Sequence, residues 1–300
     1  MSRRRALPTL PPPFPAPFLT TLHSLLAQPV LVGGTSDQRL RARRAVLSQS
    51  GTFVGHRPYV RGDDLRRIDW AAYARTGEMF VKQLEQEERR TAALLLDLSP
   101  SLLAGAPPRR LAMLRAAAIL GGLALTHLDG LTVLAPGAGD LAVRPFVGVH
   151  ALAALLTHLE ALPVVEVASS DAIALVLKRS VPGRVHWLSD FAVPKDIERP
   201  LQALRRRGVL VHGWLPELAS DHHVAANGYV RVADPETGEE LVVPMDDRFR
   251  AELERQLAML ATQQNRLFAQ AGAPLVRWPV PAVDDWRLQS YWLIVAGCVA

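Results

Sequence analysis

Three short apolar runs, at residues 92–96, 185–188 and 209–215, limit most narrowly what this chain can fold into. Runs this short and this continuous predict strands buried on both faces rather than amphipathic helices. Two of them end on acids, Asp97 after the first and Ser189-Asp190 after the second. A buried strand that runs straight into a carboxylate places that carboxylate in a loop at the carboxyl edge of a sheet.

Helical stretches separate the runs. Residues 109–128 are rich in Ala and Leu behind Pro107-Pro108, and residues 150–162 stop at Pro163. Ser170 caps a predicted helix to residue 179, with Asp171 in its first turn, where negative charge suits the helix dipole. Residues 197–207 end on three arginines with Gly208 just beyond. Strands are also expected at 131–134 and 141–146. Strand and helix in alternation predict an α/β fold with a doubly wound, mostly parallel sheet. Further on, residues 229–232 and 240–243 flank Asp234-Pro-Glu-Thr-Gly238 and predict a hairpin. An amphipathic helix over 246–271, closed by Gly272, and an edge strand at 275–278 complete the expectation.

Upstream of residue 92 the text is different. Residues 1–37 read as a Pro-rich flexible lead with a short helix at 18–26. Residues 38–91 read as an Arg/Asp-rich element of loops and short strands, 92–280 as the α/β domain, and 281–300 as an apolar C-terminal tail. Within the Arg/Asp-rich element, Asp63, Asp64 and Asp69 have Arg57, Arg66, Arg67 and Arg75 close in sequence. A structural arginine/carboxylate network is therefore expected there, with Trp70 and Tyr73 as its small core.

Charge follows the same division. Residues 1–91 carry 15 Lys+Arg against 8 Asp+Glu, while the whole chain carries 34 against 29. The basic excess thus belongs to the first third, and a nucleic-acid-binding role for that third is the alternative reading it raises. Arginines with carboxylates beside them weigh against it, as does the preference for Arg over Lys throughout. The single cysteine, Cys298, excludes an internal disulfide and a thiolate zinc site. With a start too proline-rich for a signal peptide and an apolar tail about half of a bilayer span, a cytoplasmic location is expected. The tail leaves a weak membrane contact open.

Ligands of open α/β sheets bind outside the carboxyl ends of the strands, where the strand order reverses. Three loops there carry hard oxygen donors: Asp97-Leu-Ser99-Pro-Ser101, Ser189-Asp190 and Ser169-Ser170-Asp171. Carboxylate and hydroxyl oxygens without His or Cys suit Mg2+ or Mn2+. The phosphate loop, nucleophile elbow, zincin motif and Gly-x-Gly-x-x-Gly fingerprint are all missing from the sequence. Ser99, two residues after Asp97, also departs from the Asp-x-Asp pair of haloacid dehalogenase phosphatases, so a metal-dependent phosphohydrolase is only an alternative. His222-His223 reads as a solvated loop, and His56 and His186 have no partner that the sequence identifies.

Asp97-x-Ser99-x-Ser101 resembles the first motif of the metal ion-dependent adhesion site of von Willebrand factor type A domains. The resemblance implies Ser170, or its neighbour Ser169, in the place of a threonine on a second loop, and Asp190 as the aspartate on a third. It implies that Ser99, Ser101 and Ser170 hold the ion directly and that Asp97 and Asp190 do so directly or through water. Upstream, Gly55-His-Arg57-Pro-Tyr59 and Gly62-Asp63-Asp64-Leu-Arg66-Arg67-Ile68-Asp69-Trp70, then Ala74-Arg75-Thr76-Gly77, resemble the signature of the bacterial "domain of unknown function 58" family over about residues 45–275. Members of that family are similar to von Willebrand factor A proteins and are commonly encoded beside MoxR-type AAA+ ATPases. The resemblance implies a non-catalytic, Mg2+- or Mn2+-dependent interaction module. Its expected partner is such an ATPase, docking through an acidic side chain that completes the metal shell.

Overall fold

The β-branched and leucine-rich runs do form a sheet. The computed structural model describes residues 11–27, 52–60, 63, 65, 68–85, 91–104, 109–128, 130–165, 183–218, 221 and 227–280. In chain order these form α1 (Ala16–Leu26), β1 (Thr52–Pro58), α2 (Trp70–Thr76), β2 (Phe80–Glu85), β3 (Thr91–Leu96), α3 (Arg109–His127), β4 (Gly130–Leu134) and β5 (Val143–Phe146). They continue with α4 (Leu152–Ala161), β6 (Arg184–Leu188), α5 (Pro194–Arg206), β7 (Leu210–Glu217), β8 (Gly228–Ala233), β9 (Glu240–Met245), α6 (Asp247–Gln270) and β10 (Leu275–Pro279). Short 3-10 turns add Pro100–Leu103, Gly139–Leu141 and Val149–Ala151. The chain divides into two units, residues 33–89 and the remainder.

The larger unit is mixed α/β around a six-stranded sheet of order β10-β7-β6-β3-β4-β5. Every neighbouring pair is parallel except β4 and β5. Side chains alternate across a strand, and β3 feeds two cores. Ala92, Leu94 and Leu96 join the core that holds Phe18 of α1, Met113 and Ile119 of α3 and Leu155 of α4. Ala93 and Leu95 join the one that holds Ile197, Leu201 and Leu204 of α5 and Phe268 of α6. Helices therefore cover both faces, and α3 meets α4 closely at Gly121, where a Cβ would stand 2.7 Å from Leu155 Cδ2.

The short helix expected at 18–26 forms as α1, and the expectation of a flexible lead is corrected at Pro13 and Phe14, while residues 1–10 and 28–37 lie outside the described residues. Phe18 and Leu22 are each 1% exposed, Phe14 stacks on Phe18 with ring centroids 5.6 Å apart, and the carbonyl of Pro13 accepts from Arg115 Nε at 3.0 Å. The i, i+4 spacing of these aromatic and leucine side chains puts one apolar stripe on α3. Pro17 does no harm because it lies in the first turn, where a missing N–H costs nothing.

In the smaller unit β1 and β2 pair antiparallel. Asp69 caps α2 by accepting from the N–H groups of Ala71 and Ala72, both at 3.0 Å. Among the described residues of this unit, Ile68, Ala72 and Val81 are buried and apolar. Trp70 and Tyr73 are 61% and 43% exposed, so the expected aromatic core is corrected. The two rings pack edge to face on each other at 6.2 Å, on the outer side of a helix whose inner side is Ala72.

Among the described residues no helix is long and apolar enough to cross a membrane. The predicted helix at 170–179, His222, His223 and the tail at 281–300 with Cys298 lie outside the described residues.

Candidate metal centre

Strands β3 and β6 are neighbours, but β3 is followed by β4 on one side and β6 by β7 on the other. Their carboxyl ends diverge into separate crossovers, which opens the crevice at which α/β sheets bind ligands. Asp97 and Asp190 stand on these two ends. The ladder continues one step past the strands, since Asp97 N–H donates to the carbonyl of Leu188 at 3.0 Å and Ser189 N–H to that of Trp214 at 3.1 Å.

Asp97 is held at both oxygens. Oδ1 accepts from Ser99 N–H at 2.9 Å, the turn that carries the chain into Pro100–Leu103. Oδ2 accepts from Ser189 Oγ at 2.6 Å. Ser99 Oγ and Ser101 Oγ lie 2.9 Å apart. That is a hydrogen-bond distance, and it is also about the separation of adjacent oxygens around an octahedral ion with bonds of about 2.0–2.1 Å.

Asp190 is positioned by a strained loop. Phe191 has φ 51°, in the left-handed region that non-glycine residues avoid, at a cost of about 1–3 kcal/mol. The surroundings enforce it. The Phe191 ring is 2% exposed and packs edge-on against Phe268 at 5.0 Å and Trp187 at 5.6 Å. Its N–H donates to Ser189 Oγ at 2.9 Å, and Ala192 N–H donates to Asp190 Oδ1 at 3.0 Å. From α6, Gln264 Nε2 donates to the carbonyls of Asp190 and Phe191 at 3.2 and 2.8 Å. Arg277 of β10 in turn holds Gln264 Oε1 at 2.6 Å.

The acids at this edge disfavour one another's ionisation. Burial and then the neighbouring Asp97 charge push the Asp190 carboxyl above the ordinary aspartate value, against the opposing pull of the Ala192 N–H, Ser101 and Arg109. Glu236, from the turn between β8 and β9, also reaches this edge and accepts from Ser101 N–H at 3.1 Å. Its carboxyl is raised chiefly by burial, with Asp97 and Asp190 adding to the shift. Two arginines at the start of α3 partly offset these acids. Arg109 pairs with Asp221 and favours ionised Asp190. Arg110, 4% exposed, donates to the carbonyls of Leu162 and Pro163 at 2.6 and 3.2 Å; burial lowers its pKa and the nearby Asp97 opposes that.

Asp97, Ser99, Ser101 and Asp190 are thus brought to one edge, with oxygen donors that fit a hard divalent ion. Among the described residues no three His, Cys, Asp or Glu side chains cluster as metal ligands. Ser170 and Ser169 lie outside the described residues. Val165 donates its N–H to the carbonyl of Leu98 at 2.8 Å.

In the smaller unit, Arg57 grips Asp63 with both terminal nitrogens, Nη1 to Oδ2 at 2.7 Å and Nη2 to Oδ1 at 2.6 Å. Asp69 bonds His56 Nε2 at 2.7 Å besides capping α2, which supplies the partner that the sequence does not identify for His56. Asp64, Arg66 and Arg67 lie outside the described residues. Arg75 is exposed in the last turn of α2, where positive charge suits the helix dipole. His186 is a core residue that accepts from Trp214 Nε1 at 3.0 Å, and burial holds its pKa well below the usual value, so it is neutral.

Arg109, Arg110, Gln264 and Glu236 were not singled out from the sequence, and Ser189, expected there as an oxygen donor of its loop, braces Asp97 instead. One signal was available, because arginines in the first turn of a helix oppose its dipole and call for nearby carboxylates.

Fold and site together define a class, an α/β protein with a largely parallel sheet and an acid- and serine-lined edge at its topological switch point. Residues 55–263 match the model of the family described as "Protein of unknown function DUF58", and the chain belongs to that family. Uncharacterized proteins of Mycobacterium tuberculosis and Mycobacterium bovis are 30% identical over 234 residues, which is 73% of this chain and 72% of theirs. The crystal structure of conserved hypothetical protein BatB from Bacteroides thetaiotaomicron covers 69% of this chain and 98% of its own, with 12% identity and a TM-score of 0.39.

Proposed function

We propose that the protein is a von Willebrand factor A-like interaction module that binds a partner protein through a divalent cation, Mg2+ or Mn2+. The observation that carries this reading is the convergence of Asp97, Ser99 and Ser101 with Asp190 at the switch point, where Asp190 is destabilised in its charged form. Asp97, Asp190, Ser99 and Ser101 hold the ion, with Ser170 as a further hydroxyl. Two carboxylates balance the charge of a divalent ion without saturating its coordination, so it can accept a carboxylate from outside. The activity is docking rather than turnover, and the gene neighbourhoods common in the family that the sequence resembles make a MoxR-type AAA+ ATPase in the cytoplasm the expected partner.

Isothermal titration with MgCl2 tests the centre. The wild type is expected to bind one ion and Asp97→Ala none. Unchanged affinity in Asp97→Ala would remove the assignment. Retention of a purified MoxR-type ATPase, lost with chelator and in Asp97→Ala, tests the partner, and retention that is indifferent to both would sink that part of the reading.

A further inference from the structure

Among the described residues the hairpin of β8 and β9 pairs only with itself. Its base is anchored, since Val243 and Met245 are buried and Arg250 Nη2 holds Asn227 Oδ1 at 2.7 Å. Outward from that base both faces of the ribbon are open. Tyr229 and Val242 share one face at 83% and 55% exposure, and Val232 and Leu241 share the other at 48% and 65%. A two-stranded ribbon by itself is marginal in water, and one that bares apolar side chains on both faces lacks a neighbour.

The two edges of the ribbon are not equivalent. Asp234 N–H donates to the Glu239 carbonyl at 2.8 Å, and bonded pairs recur at every second position of an antiparallel ladder. Val232 with Leu241 and Val230 with Val243 are therefore bonded pairs, and Tyr229, Arg231 and Ala233 direct their N–H and C=O groups away from β9. On β9 the outward positions are Glu240, Val242 and Pro244. Pro244 has no N–H to offer, which blunts that edge against pairing. β8 has no proline and presents an unbroken row of backbone donors and acceptors.

Side chains beside that row select the charge of what can pair with it. Asp234, Glu236, Glu239 and Glu240 surround the turn, and the ribbon's one basic residue, Arg231, is engaged by Glu240 at 3.3 Å. We propose that the free edge of β8 takes an extended, basic segment of a partner protein as an added strand, with its apolar side chains beside Tyr229 and Val232 and its basic ones near the acidic tip. In strand addition the backbone bonds supply affinity and the alternating side chains supply specificity. This surface adds a contact to the docking reading and needs no cation.

Fluorescence anisotropy with EDTA present throughout tests it, the probe being a dye-labelled peptide of alternating valine and lysine. One comparison peptide carries glutamate in place of lysine, and a second is N-methylated at every peptide nitrogen, so that it keeps its charge but cannot donate to a strand. The valine-lysine peptide is expected to bind the wild type at least several-fold more tightly than either. Arg231→Pro, which removes an outward N–H as Pro244 does on the other edge, is expected to weaken it several-fold, whereas Arg231→Ala keeps that N–H and is expected to bind as well as the wild type or better. Absence of binding, equal binding of the three peptides, or equal loss in both variants would overturn the proposal, and the peptide comparison stands even if Arg231→Pro misfolds. Sedimentation that shows self-association abolished by Arg231→Pro would place a second copy of the chain on this edge and overturn the basic partner. Because no divalent ion is present, failure here leaves the cation-dependent reading standing, and a wild type that binds no Mg2+ leaves this edge standing.

Discussion

Ser189 Oγ donates to Asp97 Oδ2 at 2.6 Å, joining the ends of two neighbouring strands across 92 residues of chain. The same oxygen accepts from Phe191 N–H, so one hydroxyl orients the first carboxylate and supports the loop that carries the second. Ser189 is 5% exposed, and water cannot easily replace it. Ser189→Ala is expected to destabilise the protein by about 1.5–3 kcal/mol, the worth of a hydrogen bond to a charged group. Urea unfolding measures this, and a loss below a few tenths of a kcal/mol would contradict the role.

Asp190 is costly to ionise when no cation is present. Its folded pKa is raised, so the folded state holds a proton that the unfolded state releases. Stability conferred by that proton is lost as pH rises from the ordinary aspartate value through the folded one. At neutral pH and without divalent ions, Asp190→Asn is expected to raise Tm by about 2–4 °C, the shift that ~1 kcal/mol produces in a chain of this size. Asn retains the Oδ1 acceptor for Ala192 N–H. MgCl2 should stabilise the wild type and not the variant in the same thermal scans.

Gln264 holds the carbonyls on either side of the strained Phe191 peptide. Removing its amide frees that strain and leaves buried carbonyls unpaired. Gln264→Ala is expected to cost about 1–3 kcal/mol and to weaken Mg2+ binding although Gln264 is not a ligand. Unaltered Mg2+ affinity in calorimetry would show that the loop keeps its geometry without it.

Arg57 and the Val60 N–H lower the Asp63 carboxyl to about 2. Because this pKa is depressed, the stabilisation is present above the ordinary aspartate value and disappears as pH falls toward about 2. Carbon-detected NMR titration should find Asp63 near that value in the wild type. In Arg57→Gln it should move most of the way to the usual ~3.9, and a titration midpoint that stays put would place the cause elsewhere.

Phe18 opens the short helix expected at 18–26, next to a Pro-rich stretch that composition assigns to a flexible lead. It is fully buried against α3, and Phe18→Ala is expected to cost about 3–5 kcal/mol. A loss under 1 kcal/mol in denaturant unfolding would return the segment to the periphery.

Legibility depended on how local the determinant is. Strands β3, β6 and β7 and the acids behind two of them can be read directly, because a buried strand needs an unbroken apolar run and the sheet edge begins where that run ends. Asp234 and Gly238 were legible as a turn for the same local reason, yet Glu236 between them was hidden, since its contact with Ser101 spans 135 residues. Trp70 and Tyr73 were misread as core. Aromatic side chains suggest burial by type, but α2 buries the face that carries Ala72, and these two project from the other.

Short apolar runs ending on acids, by themselves, determined the α/β layering, the parallel strands and the presence of oxygen donors at their carboxyl ends, because pattern and periodicity are properties of neighbouring residues. Tertiary structure alone decided that β3 lies beside β6, that Ser189 braces Asp97, that Gln264 and Phe268 hold Phe191 at positive φ, and that a hairpin glutamate faces the same edge. Those relationships come from the order of strands in the sheet, which brings distant residues together through the burial of both sheet faces.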